Sequence, residues 1–405
     1  MAERPVLIIG AGIGGLATAL ALHKVGFSVK ILEKSDTLRE EGASILLGTN
    51  GWKALQALGV ADTLRALFCR IERYTMLRET GHVLKSLQVD DCAHGPHEIR
   101  GAIRNDLVRV LADALPEGTV RFGCTVGTVS VSSEGTTVEL SSGEKIPCRV
   151  LIGADGAYSK VRAAIGGQPP QYVGWATYRG MATFEEGIPE FSQEFRIIQG
   201  GTEGTIVGLY PLDSKRCYYF HGFLASQDEA TALKKAGDMK EDLARRLKGY
   251  PCNFDEIVAR TPEDQIFLNH IGDSLIQPGQ TWGRDLVTLV GDAAHPTTPA
   301  LGQGGCMALE DGVELAAALK AAIEAAGAVS WEKLPAQKIE SALRGFERRR
   351  SARCAPLVAM ARQNGDRALT RRSWLGLRMR DLAISFFAFR PATMFNYMVW
   401  DPPTL

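Results

Sequence analysis

The N-terminal segment contains the feature that most constrains the fold of this chain. An apolar run, Val6–Ile9, leads directly into the glycine-rich stretch Gly10–Gly15, after which alanine and leucine recur at helical spacing. A second apolar run, Val29–Leu32, follows and ends at Glu33. This order predicts a strand, a tight turn, a helix and a second strand, which is the beginning of an α/β sheet.

The residues of this turn suit the binding of a dinucleotide. Gly10 lets the backbone turn sharply, Gly12 leaves room for a pyrophosphate, and Gly15 lets the helix pack closely on the strand. Gly14 lies at the helix N-terminus, where unpaired N–H groups face the phosphates. Glu33 follows the first glycine by roughly 20 residues and can accept hydrogen bonds from ribose hydroxyls. Because Glu33 would repel a ribose 2′-phosphate, the sequence favours FAD or NAD over tightly bound NADP.

The composition is that of a globular chain long enough for two domains. The 405 residues are 45% apolar and 23% charged, and 46 basic side chains balance 46 acidic ones. This balance gives no indication of nucleic acid as a partner. The eight cysteines form no C-x-x-C pair and no cluster with metal-ligand spacing. We therefore expect free thiols in a reducing compartment and no metal site.

Two features predict a cytoplasmic location without a transmembrane segment. No uncharged apolar run reaches the roughly 18 residues of a spanning helix. A core strand is predicted within about five residues of the N-terminus, which leaves no room for a cleavable signal. A transit peptide that had been trimmed away would leave the same sequence. The pattern does not distinguish a monomer from a homodimer.

The order of elements predicts a nucleotide-binding domain with a second domain inserted in it. Residues 1–169 alternate between strands and helices and form its first part. Residues 170–280 contain alternating, aromatic-rich stretches and predict a mainly antiparallel sheet that binds the substrate. The buried strand in "DLVTLVGDAAH" and the helix after it return to the nucleotide-binding domain over 281–330. Residues 331–405 are predicted to be a helical C-terminal region. The fold class is therefore α/β, with a discontinuous Rossmann-like domain.

Three motifs together resemble the FAD-dependent aromatic hydroxylases, the single-component monooxygenases that include para-hydroxybenzoate hydroxylase. They are the glycine turn, "GADGAYSKVR" at 153–162, and "GDAAHPTTPALGQGG" at 291–305. The sequence of the third motif most resembles the salicylate hydroxylase and zeaxanthin epoxidase-like branch of this family. The resemblance implies FAD held between the two domains and NADH or NADPH as a transient reductant. It also implies that a flavin C4a-hydroperoxide transfers one atom of O2 to a phenolic or salicylate-like substrate.

The third motif also has a physical interpretation. Asp292 follows a buried strand, at the sheet edge where α/β folds bind ligands, and can accept hydrogen bonds from the ribityl hydroxyls of a flavin. Pro299 stiffens the loop by fixing φ. Gly302, Gly304 and Gly305 let a flat ring lie against backbone. The helix N-terminus nearby would stabilise the negative charge of a reduced flavin by roughly 0.3 to 2 kcal/mol.

Further cofactor residues follow from the resemblance with less support. Arg104 resembles the arginine of the family that contacts FAD, and its guanidinium suits phosphate. Arg39 and the loop that contains Ala43 are a weaker case of the same kind. Asp155 lies in the motif that supports the cofactor and the reductant site in the family.

Some charged residues near these motifs allow more than one interpretation. Lys160 and Arg162 are placed to meet the phosphates of a nicotinamide nucleotide, or are exposed charges on a helix. His295 is expected to shape the cofactor loop. For Glu310 and Asp311 we find no specific role and expect contact with a helix terminus or with solvent.

The inserted sheet is expected to form an aromatic, apolar substrate pocket that excludes water. Side chains on its predicted strands that could line this pocket are Tyr178, Arg179, Tyr210, Tyr219 and His221. Of these, His221 would take the proton of a phenol, Arg179 would bind a substrate carboxylate, and Tyr210 is the third catalytic candidate. A strand histidine that is only packed, and a surface arginine, are the alternative interpretations of the first two.

Other functions stay open at this point. The same chemistry would support epoxidation of an isoprenoid or carotenoid-like alkene, which needs no phenol base. A flavin-linked reductase of the same fold, or a noncatalytic FAD-binding protein, would consume no O2. No second G-x-G-x-x-G follows a strand, so we expect the nicotinamide nucleotide to bind only briefly.

The aromatic segment from Trp374 to Trp400 has two interpretations. We favour packing over the pocket as part of the core. The alternative is peripheral contact with a membrane surface, or an entrance for a lipophilic substrate. The arginines at 378, 380 and 390 fit either interpretation.

Overall fold

The computed structural model of the protein describes residues 4–38, 44–132, 135–189 and 191–405. The strands are, in chain order, β1 (Val6–Ile9), β2 (Val29–Leu32), β3 (Ser44–Leu47), β4 (Arg73–Arg78), β5 (Val83–Gln88), β6 (Arg100–Ile103), β7 (Val120–Arg121), β8 (Val126–Ser132), β9 (Gly135–Leu140), β10 (Lys145–Cys148), β11 (Val150–Gly153), β12 (Gln171–Thr183), β13 (Glu194–Gln199), β14 (Thr205–Pro211), β15 (Arg216–Leu224), β16 (Ile266–Asp273) and β17 (Val287–Leu289). The α-helices are α1 (Ile13–Lys24), α2 (Thr49–Leu58), α3 (Ala61–Arg65), α4 (Arg104–Asp113), α5 (Lys160–Ala164), α6 (Gln227–Ala236), α7 (Met239–Leu247), α8 (Phe254–Arg260), α9 (Gly304–Ala325), α10 (Ala336–Leu369) and α11 (Trp374–Leu382).

A five-stranded parallel sheet forms the centre of the nucleotide-binding part. Its strand order is β17-β11-β1-β2-β7. All four residues of β1 are buried, as expected for a strand covered on both faces. The edge strand β17 is supplied by chain that returns after the second large sheet. The mixed α/β fold predicted from the sequence is thereby confirmed.

The second large sheet has seven strands in the order β16-β12-β15-β14-β13-β4-β5. Neighbouring strands are antiparallel except β13 and β4, which are parallel. The strands β4 and β5 come from a segment that the sequence analysis assigned to the nucleotide-binding part. The local hairpin pattern does not show which sheet a hairpin will join, because that pairing is made with residues more than 100 positions away.

The two faces of the seven-stranded sheet have different neighbours. On the outer face, Tyr219 meets Phe254 of α8 with ring centroids 5.9 Å apart, within a core that α6, α7 and α8 complete. On the inner face, Tyr210 and Tyr218 join the core that also contains the nucleotide-binding helices. Because successive side chains of a strand point to opposite faces, this arrangement decides which predicted residues can reach a site between the domains.

Two long helices connect the layers. α9 packs on α1 so closely that a Cβ on Gly312 would lie 2.8 Å from the backbone nitrogen of Thr18. α10 spans 34 residues and packs along α9. In the part of the chain that the structure describes, no helix has the length and apolarity needed to cross a membrane.

The packing of α9 on α1 leads to a stability prediction. Gly312→Ala should lower the free energy of unfolding by about 1 to 3 kcal/mol, because the added methyl would overlap the backbone of α1. Gly345→Ala is the matched control, since a Cβ there meets only Arg349 at 3.6 Å. That change should raise stability by about 0.5 to 1 kcal/mol, because alanine is the better helix former. Urea unfolding of the two variants measures both changes in the free energy of unfolding. Equal changes in the two variants would contradict the packing argument.

Candidate active site

At two positions of the N-terminal turn, the protein's own backbone leaves no space for any residue except glycine. Gly10 has a φ of +104°, and a Cβ there would lie 2.6 Å from the carbonyl oxygen of Ala154. A Cβ on Gly15 would lie only 1.9 Å from the carbonyl oxygen of Gly10. Any larger residue at these two positions would therefore displace the backbone of the turn.

Gly12 differs from these two glycines. Its φ of −81° is one that any residue adopts. A Cβ built there would meet only a terminal guanidinium nitrogen of Arg104, at 4.0 Å. A Cβ on Gly14 would make an ordinary contact of 3.5 Å with Ala308. The protein therefore does not itself need a glycine at position 12, and the space beside it is available to a ligand.

Glu33 is buried at the end of β2 and braces the same turn. One carboxylate oxygen accepts a hydrogen bond from the Ala11 N–H at 2.8 Å, and the other accepts one from the Ser35 N–H at 3.0 Å. These bonds hold the carboxylate beside the phosphate-sized space. Its predicted contact with a ribose stays a prediction.

Asp292 and Arg104 converge on the space beside Gly12. Asp292 follows β17 and is exposed to solvent. One of its carboxylate oxygens lies 3.9 Å from the position of a Cβ on Gly304, at the N-terminus of α9. Protein atoms packed around the Asp292 carboxyl raise its pKa, although the residue keeps contact with solvent and His295, Arg104 and Arg162 act in the opposite direction. The chain thus brings together an acid, an arginine and a helix N-terminus beside Gly12, and we call the space that these groups border the cleft.

The remaining residues of the third motif form the wall of this cleft. Pro299 begins a short 3-10 turn that ends at Leu301, and Gly302 then adopts a φ of +64°. A Cβ on Gly305 would lie 3.1 Å from Ile45 of β3. A Cβ on Gly302 would lie 3.5 Å from Leu46 of the same strand, so the loop and the start of α9 both lie close to β3. The predicted contributors Arg39 and Ala43 lie outside the described residues.

The side chains of the second motif form hydrogen bonds that connect neighbouring loops. The Asp155 carboxylate accepts hydrogen bonds from the Ser159 hydroxyl and from two backbone N–H groups at the start of α5, with distances of 2.7 and 3.3 Å to the backbone nitrogens. Arg162 is buried, and its guanidinium donates to the carbonyl oxygen of Ala293 at 3.2 Å. The interpretation of Arg162 as an exposed helix charge is therefore wrong, because this side chain connects the second motif to the third. The Lys160 side chain donates to the carbonyl oxygen of Val126.

A buried ionic network beneath the third motif was missed by the sequence analysis. Glu310 and Asp311 are fully buried, which contradicts the expectation of solvent or helix-terminus contacts. Arg350 of α10 pairs with Glu310 at 2.7 Å and with Asp311 at 2.6 Å. Asp311 also accepts a hydrogen bond from the Gly291 N–H at 2.7 Å. The many arginines of α10 were a signal in the sequence that buried carboxylates need partners. Their spacing alone could not show which arginine pairs with Glu310 or Asp311.

His295 belongs to the same network, as expected for a residue that shapes the loop. Its Nε2 lies 2.7 Å from a carboxylate oxygen of Asp311. Burial by itself lowers the pKa of His295, but the Asp311 carboxylate overrides burial and holds that pKa well above the usual value. Burial alone would raise the pKa of Asp311, whereas His295 and Arg350 lower it to about 2.

The donor atoms of His295, Asp311 and Cys354 lie within 4.8 Å of one another. The Arg350 guanidinium is bonded to Asp311 in the same place. Since this cation already balances the carboxylate, the cluster does not favour a metal ion.

The inner face of the seven-stranded sheet carries two of the three predicted catalytic residues. The Arg179 guanidinium donates to the side-chain oxygen of Asn269 at 2.9 Å. The Tyr210 hydroxyl donates to the Ser44 hydroxyl at 3.3 Å, which joins the sheet to β3. Neighbouring apolar residues on this face, Met181 and Phe220, are only half-buried. They pack against the core that the sheet shares with the nucleotide-binding part.

His221 lies on the opposite face of the sheet, so the prediction that it acts as a base is wrong. It is 1% exposed and stacks on Phe223 with ring centroids 5.4 Å apart. Burial lowers the pKa of His221 to about 3, with a further lowering from Arg246. Tyr178 and Tyr219, also predicted to line the pocket, share this face and donate hydrogen bonds to Asp242 and Thr261. Strand alternation separates these residues from Arg179.

The His295–Asp311 pair leads to a prediction about pH. Because the pKa of His295 is raised in the folded protein, the stability that its proton contributes is complete below the ordinary value of 6.5 and is lost as the pH rises through the folded value. His295→Asn should cost on the order of 3 kcal/mol at low pH. The difference in Tm from the parent protein should narrow as the pH rises above neutrality. His82→Asn, at an exposed histidine, is the control. A Tm difference independent of pH would contradict the assignment.

Comparison with known proteins agrees with this geometry. The family model described as "FAD binding domain" matches residues 3–331. Monooxygenase 2 of Arabidopsis thaliana is 32% identical over 95% of this chain and 94% of its own length. The FAD-dependent urate hydroxylase of Klebsiella pneumoniae is 29% identical over 89% of both chains. Zeaxanthin epoxidase of Arabidopsis thaliana is 32% identical, but the match covers 92% of this chain and 56% of that longer protein.

A solved structure provides a comparison of the folds. The Klebsiella pneumoniae protein HpxO in complex with FAD and uric acid superimposes with a TM-score of 0.77 at 25% identity, covering 94% of this chain and 92% of that one. The resemblance to aromatic hydroxylases seen in the sequence is confirmed. The chain belongs to the FAD binding domain family, and it is an oxidoreductase of the FAD-dependent monooxygenase group.

Proposed function

We propose that this protein uses NADH or NADPH and O2 to hydroxylate a planar, electron-rich aromatic molecule. The substrate would lie between the third motif and the inner face of the seven-stranded sheet. The observation that carries the proposal is the convergence of Gly12, Arg104, Asp292 and the α9 N-terminus on one cleft, opposite a sheet face that presents Arg179 among half-buried apolar side chains.

The residues around the cleft fit FAD. Bound FAD would supply the acceptance of hydride from the nicotinamide and the activation of O2. Arg104 would pair with the pyrophosphate next to Gly12, where the protein leaves space that its own packing does not require. Asp292 would accept hydrogen bonds from the ribityl hydroxyls. The N-terminus of α9 would direct its N–H groups at the pyrimidine edge of the ring.

The inner face of the sheet would bind the substrate and exclude water. Met181 and Phe220 provide apolar surface, and Arg179 provides the charge that would orient an anionic group. Burial raises the pKa of Tyr218 to about 12, partly opposed by Arg179, and raises that of Tyr210 well above the usual value. Both tyrosines are therefore neutral hydrogen-bond donors near pH 7. With His221 on the other face, we infer that Arg179 favours a substrate that is bound as an anion.

The relatives support this substrate class more than an alkene. Uric acid, present in the complex of the Klebsiella pneumoniae protein, is planar and acidic, which matches an arginine set in an apolar wall. The relative named zeaxanthin epoxidase keeps epoxidation of an isoprenoid as the second candidate. Half-buried Met181 and Phe220 are compatible with such a substrate, but Arg179 would have no partner on it.

The role of Gly12 leads to a prediction about cofactor content. Gly12→Val should purify folded but without FAD, because a Cβ there lies 4.0 Å from the nearest protein atom and the side chain would fill the space expected for the pyrophosphate. Gly12→Ala should retain an intermediate amount. Flavin absorbance per chain measures occupancy, and circular dichroism with the Tm of the apoprotein measures folding. Full occupancy in Gly12→Val would contradict the placement of the pyrophosphate.

The substrate class is tested by following NADH, NADPH and O2 consumption with a panel of phenols, salicylates, purines and isoprenoid alkenes. We expect an acidic aromatic compound to stimulate consumption and to be converted to one equivalent of hydroxylated product. Conversion of the alkenes alone would select the epoxidase. Flavin reduction without O2 uptake would select a reductase, and no reduction by either nucleotide would indicate a noncatalytic protein.

Arg179→Gln then tests the orientation of the substrate on the active compounds. For a carboxylate-bearing substrate, kcat/KM should fall by about 30- to 100-fold, corresponding to loss of a charged hydrogen bond worth roughly 2 to 3 kcal/mol. An uncharged analogue serves as the internal control and should lose much less. Equal losses for both compounds would assign Arg179 to the architecture of the pocket rather than to substrate recognition.

A further inference from the structure

The segment formed by α11 and the residues up to Phe387 has its apolar side chains on the outside. Six large apolar residues of this segment are more than half exposed, with relative exposures of 68% for Trp374, 61% for Leu375, 64% for Met379, 56% for Leu382, 67% for Phe386 and 69% for Phe387. The spacing of Leu375, Met379, Leu382 and Phe386 puts them on one side of the helix. We call these six residues the C-terminal apolar face.

The opposite side of the same segment is polar and is fixed to the seven-stranded sheet. Asp381 is 4% exposed and pairs with Arg78 of β4 at 2.5 Å. Arg380 pairs with Asp381 at 2.8 Å and donates to the carbonyl oxygen of Gly200 at 2.7 Å. The Lys85 side chain donates to the carbonyl oxygen of Ser385 at 3.3 Å. These ion pairs and hydrogen bonds, centred on the buried Asp381, hold the helix in the orientation that presents its apolar face to solvent.

This arrangement is the reverse of a normal surface helix, which buries its apolar stripe. The preferred prediction of core packing is therefore wrong for the six residues of the C-terminal apolar face, whereas Ile384 of the same segment is 6% exposed. It is correct for Phe395, Met398 and Trp400, which are buried. A contiguous exposed patch of this kind marks an interaction surface.

The charge around the C-terminal apolar face is positive. Residues 367–390 contain six arginines and a single acidic residue, Asp381. Arg380 is paired with Asp381, and Arg371 lies 3.8 Å from Glu203 of the neighbouring loop. The excess positive charge of this segment therefore comes from Arg367, Arg372, Arg378 and Arg390. The Arg378 guanidinium lies over the Trp374 ring, 5.4 Å from its centroid, at the edge of the apolar face. An apolar surface bordered by arginine is the pattern of a segment that lies in a membrane interface.

We propose that the C-terminal apolar face docks on a membrane that contains anionic phospholipid. Its leucine, methionine and aromatic side chains enter the boundary between headgroups and acyl chains, and the arginines contact lipid phosphates. A second copy of the chain is a poorer occupant. Two-fold pairing through this face would bring the same arginines opposite one another. This docking is independent of the substrate proposed above.

The test is sedimentation of the FAD-loaded protein with vesicles of phosphatidylcholine alone and with vesicles that also contain about one-third phosphatidylglycerol. We expect binding to the anionic vesicles that weakens as salt is added. The double substitution Phe386→Ser with Phe387→Ser should weaken the partition by about tenfold or more, and Arg378→Glu should weaken it on anionic vesicles specifically. Unchanged flavin content and Tm would show that the variants are folded.

A matched control removes equally exposed apolar residues elsewhere. Val329 and Leu275 are 81% and 60% exposed, and the double substitution Val329→Ser with Leu275→Ser should leave vesicle binding unchanged. Absence of binding to anionic vesicles would overturn the proposal, as would equal binding by the parent and the phenylalanine variant. If the phenylalanine variant abolished a dimer seen by sedimentation velocity while no vesicles were bound, the occupant would be a second copy and the membrane assignment would be wrong.

Discussion

The carboxylate of Asp311 is the contact on which the geometry of the active site most depends. It receives the backbone N–H of Gly291, the ring of His295 and the guanidinium of Arg350. These three groups belong to the end of the parallel sheet, to the loop of the third motif and to α10. Burying such a charge without partners would cost several kcal/mol, so the three elements are held to the one arrangement that supplies all of them. Asp292 directly follows Gly291, whose N–H is one of these three partners.

The glycines near the cleft are glycine for two different reasons. At Gly10 and Gly15 the protein's own backbone occupies the space of a side chain, and no ligand is needed to explain the residue. At Gly12 the conformation is ordinary and the neighbouring space is open. A glycine that the protein does not need for itself is the more informative one about function. The same distinction explains why Gly312 on α9 concerns helix packing, although it follows the third motif closely in the sequence.

The two faces of the seven-stranded sheet have different roles, one in packing and one in the expected substrate site. The outer face buries His221, Tyr178 and Tyr219 against helices, where burial keeps the histidine neutral. The inner face leaves Arg179 and Phe220 half-exposed toward the nucleotide-binding part. The same sheet holds α11 through Arg78 and Arg380. One framework therefore supports both the expected substrate site and the apolar face at the C-terminus.

The sequence by itself determined the elements whose signals are local: β1, the glycine turn, α1 and the strand that ends at Glu33 follow from apolar runs and glycine spacing. It also determined the family, because three motifs occur in order. Only the tertiary structure decided which face of the sheet each residue occupies, and it removed His221 from the site. It alone paired Arg350 with Glu310 and Asp311, and it alone turned the apolar side of α11 outward. The physical reason is common to these cases. Burial and ion pairing depend on which distant elements meet, and neither periodicity nor spacing within one segment contains that information.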